Sequence, residues 1–105
     1  MAFEARYVYK PTPGADMEKV TSAIQQCASL WRKHGAPNPR LWAVSSGELG
    51  NYVLVVQFEN AAEYAKVVDP LSADPEFRRW QASVVQGGQL TWVRSNLARE
   101  LPLAG

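Results

Sequence analysis

Residues 39–59 read PRLWAVSSGELGNYVLVVQFE. Two extended runs, PRLWAVSSG and GNYVLVVQFE, flank a short polar turn, SGELG, and that pattern makes an antiparallel hairpin. Side chains of a strand alternate between two faces. In the second run Tyr52, Leu54, Val56 and Phe58 therefore share one face, and Val53, Val55 and Gln57 the other. In the first, Leu41 and Ala43 oppose Trp42 and Val44. A strand that is apolar on both faces belongs to a sheet covered on both faces.

Upstream, residues 3–10 alternate aromatic and β-branched side chains as a first strand, and PTPGAD turns the chain. Asp16 is placed to cap a helix whose apolar positions Met17, Val20, Ile24, Cys27 and Trp31 fall three and four apart. Gly35 ends it, with Lys33 and His34 in the last turn, where positive charge suits the helix dipole.

Downstream, Asn60 with Glu63 three residues on is close to a capping box, and the helix that follows carries Tyr64, Val67 and Val68. Asp69-Pro70 should break it. A second helical piece should restart at Asp74 with Pro75 in its first turn, Phe77, Trp80 and Val84 as its stripe, and Gly87-Gly88 as its stop. Residues 89–100 alternate as a fourth strand, with Leu90 and Trp92 opposing Thr91 and Val93. The tail, residues 101–105, reads as flexible, or as an arm laid on a neighbour.

The order strand, helix, strand, strand, helix, strand predicts an α+β fold of the ferredoxin-like βαββαβ kind. It is an antiparallel four-stranded sheet with the helices on one face, built by residues 1–105 as a single domain. Helices cover one face only, yet apolar residues point to both. A second copy packing sheet on sheet is the simplest cover, so a homodimer is expected.

Composition narrows the function classes. Eleven Lys and Arg against ten Asp and Glu leave a net charge of +1, which lacks the basic excess of a nucleic-acid binder. No apolar run is long enough to span a membrane and no leader pattern opens the chain, so a soluble, cytoplasmic protein is expected. The single Cys27 cannot form an internal disulfide, and no metal-ligand spacing, phosphate-binding glycine loop or Ser-His-Asp order is present. No metal and no cofactor are expected. Cys27, in the apolar stripe, reads as a small buried hydrophobe.

Three stretches carry a resemblance: LWRKHGA at residues 30–36, GNYVLVVQFEN at 50–60 and EYAKVVDPLSADPEFRRW at 63–80. With them, from Phe3 to about Leu97, the chain resembles the dimeric α/β-barrel superfamily. The NIPSNAP-like branch is nearest and the antibiotic-biosynthesis monooxygenase-like branch close by. The resemblance implies a homodimer and a pocket between sheet and helices that takes a small aromatic or polyketide-like molecule. In this chain that pocket would draw on Tyr7, Tyr9, Trp31, His34, Trp42, Tyr52, Phe77, Trp80 and Trp92. Activity, if present, would be that of a cofactor-independent oxygenase or isomerase. The alternative is a non-catalytic dimerisation or ligand-sensing module whose pocket is filled by its own side chains. The haem-degrading branch is disfavoured, because the first strand has no asparagine and residues 60–86 have no histidine.

His34 is the one histidine, so it is the candidate base for a phenol or enol substrate. It continues the stripe of Ile24, Cys27 and Trp31 and could reach inward. The helix dipole alone also explains a cation at this position. Each aromatic has the same double reading, as pocket wall or as core. Arg94, like Arg6, is a candidate anchor for a carboxylate or phenolate, or else a partner of a surface glutamate such as Glu4, Glu59 or Glu100.

Overall fold

The computed structural model describes residues 2–103. Seven elements follow one another: β1 (Phe3–Pro11), α1 (Met17–Lys33), β2 (Arg40–Ala43), β3 (Tyr52–Phe58), α2 (Ala61–Ala73), α3 (Pro75–Gly87) and β4 (Leu90–Arg99). The strands form one antiparallel sheet in the order β2-β3-β1-β4, which is the ferredoxin-like arrangement. Residues 101–103 of the tail are exposed; Met1, Ala104 and Gly105 lie outside the described residues.

Each helix starts where a side-chain oxygen meets a free N–H. The side chains of Asp16, Asn60 and Asp74 accept from the backbone N–H groups of Glu18, Glu63 and Glu76. Gly88, at φ 66°, closes α3 in the left-handed conformation that glycine takes without a Cβ clash.

The break expected at Asp69-Pro70 falls elsewhere: α2 runs through Pro70 to Ala73. Pro70 sits in an exposed part of the last turn, so its missing N–H leaves only the Lys66 carbonyl to solvent, while Leu71, one residue on, is fully buried. The chain instead turns at Asp74, whose backbone is extended (φ −73°, ψ 120°) as favoured before the proline at 75. The second helical region is therefore two helices in tandem, making three in all among the described residues. The hairpin turn is also wider than SGELG. Strand pairing stops at Ala43↔Tyr52, and the Val44 N–H then donates to the Asn51 carbonyl at 3.0 Å.

The core lies between the helices and one face of the sheet. Val20, Ile24, Cys27 and Trp31 of α1 meet Tyr9, Leu54, Val56 and Phe58 from the strands, with Leu71 and Trp80 from the following helices. Of the stripe expected for α1, only Met17 remains exposed. Phe3, Tyr64, Phe58, Trp31 and Tyr7 form a chain of ring contacts, with centroids 5.2 to 6.3 Å apart.

Register assigns the helix-free face. Arg6 pairs with Val55, Val8 with Val53, Arg40 with Val55 and Trp42 with Val53. That face carries Val8, Trp42, Val53 and Val55 among Glu4, Arg6, Arg40 and Gln57, so its apolar surface is a narrower stripe than the hairpin pattern suggests. The ladder between β1 and β4 shifts register between Val8 and Tyr9: Tyr9 pairs with Trp92, but Val8 with Arg94, which leaves Val93 bulged.

Candidate functional site

A cleft of about 570 Å³ opens between α3, the end of α2 and the strands β1 and β4. It is floored by Tyr7 and Tyr9 from β1 and Trp31 from α1, and walled by Phe77 and Trp80 from α3 and Trp92 from β4. Helical spacing puts Phe77, Trp80 and Val84 on one side of α3, which delivers them together to the cleft. Phe77 and Trp80 stack with centroids 5.7 Å apart and an interplanar angle of 19°. The Trp80 indole N–H donates to the Ala23 carbonyl at 2.8 Å, which fixes that ring against α1.

Six of the residues put forward from sequence thus meet in one place: Tyr7, Tyr9, Trp31, Phe77, Trp80 and Trp92. Four do not. Trp42 points to the helix-free face, because Leu41 takes the helix side opposite Leu54. It lines a separate groove with Arg6, Arg40 and Val55. Tyr52 is on the helix side and packs against the core without lining the cleft. Arg94 lands on the helix-free face because the bulge at Val93 resets the alternation that places Trp92 in the cleft. There its guanidinium holds the Glu48 carboxylate with two bonds, of 2.6 and 2.8 Å. Arg6 similarly pairs with Glu4, one of the surface partners expected for it.

His34 is the fourth. It caps the C-terminus of α1, and its Nε2 lies 2.7 Å from an Asp74 carboxylate oxygen. Lys33 donates to the same oxygen at 2.9 Å and to Glu76 at 3.0 Å, while the other Asp74 oxygen accepts the Glu76 N–H. These contacts from Lys33, His34 and the Glu76 backbone hold the Asp74 carboxyl well below the usual carboxylate range. His34 therefore ties the end of α1 to the junction of α2 and α3, and it is not among the residues lining the cleft.

Sequence reading missed the polar lining, Thr12, Ser72, Gln81 and Thr91. Thr12 and Thr91 could have been found from strand position, since they follow Pro11 and Leu90, the last pair at this end of the ladder. It also missed Asp74 as the partner of His34, although its cap position was legible.

The chemistry of the lining is that of neutral donors. Burial, and then the neighbouring Tyr64, push the Tyr7 phenol above its ordinary pKa; burial, and then Cys27, do the same for Tyr9. Both are phenols, not phenolates, at neutral pH. Burial pushes the Cys27 thiol up to about 12, so it is not a nucleophile there. Among the described residues, no group of three or more His, Cys, Asp and Glu is placed to hold a metal ion. No helix of the described residues is long and apolar enough to cross a membrane.

The described residues define a ferredoxin-like α+β domain with an aromatic cleft between helices and sheet, and its fold is that of NIPSNAP-like and antibiotic-biosynthesis monooxygenase-like proteins. The NIPSNAP family model matches residues 4–104, and the chain belongs to that family. No curated protein matches its sequence significantly. Among solved structures it is similar to an uncharacterised NIPSNAP-like domain protein from Burkholderia xenovorans, with a TM-score of 0.71 and 18% identity over 98% of this chain and 86% of that one. It is similar to Rv0793 from Mycobacterium tuberculosis, with a TM-score of 0.69 and 17% identity over the whole of both chains. It is also similar to SnoaB, a cofactor-independent oxygenase from Streptomyces nogalater, with a TM-score of 0.70 and 10% identity over 97% of this chain and 95% of that one. At these identities the likeness is one of fold.

Proposed function

We propose that this NIPSNAP-family protein is a homodimer that binds a small aromatic or polyketide-like molecule in the cleft between its helices and its sheet. The observation that carries the reading is the cleft itself. Its volume of about 570 Å³ suits a small-molecule site, and six aromatic rings from four elements converge on it instead of filling it. The open cleft favours this reading over a module plugged by its own side chains. The dimer reading rests on the helix-free face, where Trp42 stands half-exposed beside valines that the single chain already largely buries, and a second copy would cover it.

Oxygenase or isomerase chemistry on the bound molecule is the reading that the likeness of fold to SnoaB brings forward. The cleft lining holds no carboxylate or imidazole, and His34 is engaged by Asp74 outside it. Such chemistry would therefore start from a neutral substrate, with Tyr7 or Tyr9 donating to its carbonyl oxygen and solvent taking the proton.

Native mass spectrometry of the purified protein tests both parts. The expected result is a dimer mass that carries an organic ligand, lost in Phe77→Ala. A monomer sinks the dimer. A ligand-free protein that also fails to bind naphthalene-sized aromatics in calorimetry sinks the binding reading. Dioxygen uptake with a hydroxynaphthalene, reduced at least tenfold in Tyr9→Phe, would mark catalysis. No uptake would leave binding alone.

A further inference from the structure

The cleft's lining has no charged side chain. Lys, Arg, Asp and Glu make up 20% of the sequence, and the groove on the opposite face of the same sheet is lined by Glu4, Arg6 and Arg40. The cleft instead offers hydroxyls, one amide and aromatic rings. Two cations of the adjoining helices are already paired. Arg78 reaches the Ser72 backbone oxygen at 3.3 Å, and Lys33 is held between Asp74 and Glu76. An anion that enters loses part of its hydration and meets no opposite charge, whereas a neutral carbonyl needs only one donor.

We infer that the cleft selects uncharged, carbonyl-bearing aromatic molecules and rejects carboxylates of the same shape. The inference rests on the binding reading above and specifies its ligand class. It places any acidic product of such a molecule outside the cleft, because ionisation itself would weaken its hold.

The test is a matched pair, 2-acetylnaphthalene and 2-naphthoate, titrated into the whole protein by calorimetry at pH 7. The ketone should bind at least about 30-fold more tightly than the carboxylate. Val85 is 81% exposed at the edge of the cleft, so Val85→Arg alters charge there without touching the core. This variant should narrow the ratio by about tenfold, through tighter binding of the carboxylate. Equal affinities, or a tighter carboxylate, would overturn the inference and leave aromatic binding standing. A ratio that V85R does not move would overturn it too, because the discrimination would then arise elsewhere. If neither probe binds, the reading it rests on fails with it.

Discussion

Asp74 shows how much one side chain can organise. One oxygen caps α3, and the other receives Lys33 and His34 from the end of α1. An isosteric Asp74→Asn keeps a capping oxygen but removes the charge, and should lower the melting temperature by about 4–8 °C in thermal circular dichroism at pH 7. The folded carboxyl titrates below its unfolded value, so its contribution is fully present above about pH 4 and fades as acid protonates the folded group. The gap between wild type and Asp74→Asn should accordingly stay constant from pH 7 to 5 and close towards pH 2. A gap independent of pH would refute the charge as its source. The same geometry shows what holds His34. From sequence it had two readings, base or helix terminus, and nothing on α1 could choose between them. The choice depended on a residue forty positions away.

At the scale of elements, α2 is informative because it disobeys a local rule. Proline in a helix removes a donor and crowds the carbonyl four residues back. Pro70 lies in the last turn on the exposed side, where both costs are small enough for Leu71 to hold the helix to the core. Pro70→Ala should restore the bond to Lys66 and raise stability by about 1–2 kcal/mol, less whatever proline gains by stiffening the unfolded chain. Chemical denaturation monitored at 222 nm checks the sign; a destabilised variant would mean that the proline helps set the turn into α3. Helix caps, the α1 stripe and the strand order were legible because each depends on neighbours within a few residues. The bulge at Val93 was not, because it is defined by the pairing of β4 with β1 across the chain. That one unpaired residue removed Arg94 from the predicted pocket.

The whole molecule is a slab 18 Å through its shortest axis, one layer of helices on one layer of sheet. Such a layer normally needs cover on its second face. In the proposed dimer, the charges mixed into that face would set the register between the two copies. Trp42, 56% exposed on the edge strand β2, is the natural anchor. Trp42→Glu should convert a dimer to monomers in native mass spectrometry while far-ultraviolet circular dichroism stays unchanged. A dimer that survives the substitution must use another surface. The family resemblance places Trp42 in the ligand pocket. The pairing of Leu41 with Leu54 assigns it to the other side of the sheet, and so to a different task.

The bulged residue in β4 has a bearing on how this chain can vary. Upstream of Val93, the position that reaches the cleft is Trp92; downstream, Arg94 looks out over the open sheet. The strand is thus two short rulers laid end to end and half a period out of phase. Each ruler has positions on the cleft side and positions on the open side, and the two sets exchange parity at the join. Deleting the single residue at the join would fuse the two scales and turn the lower half of the strand over.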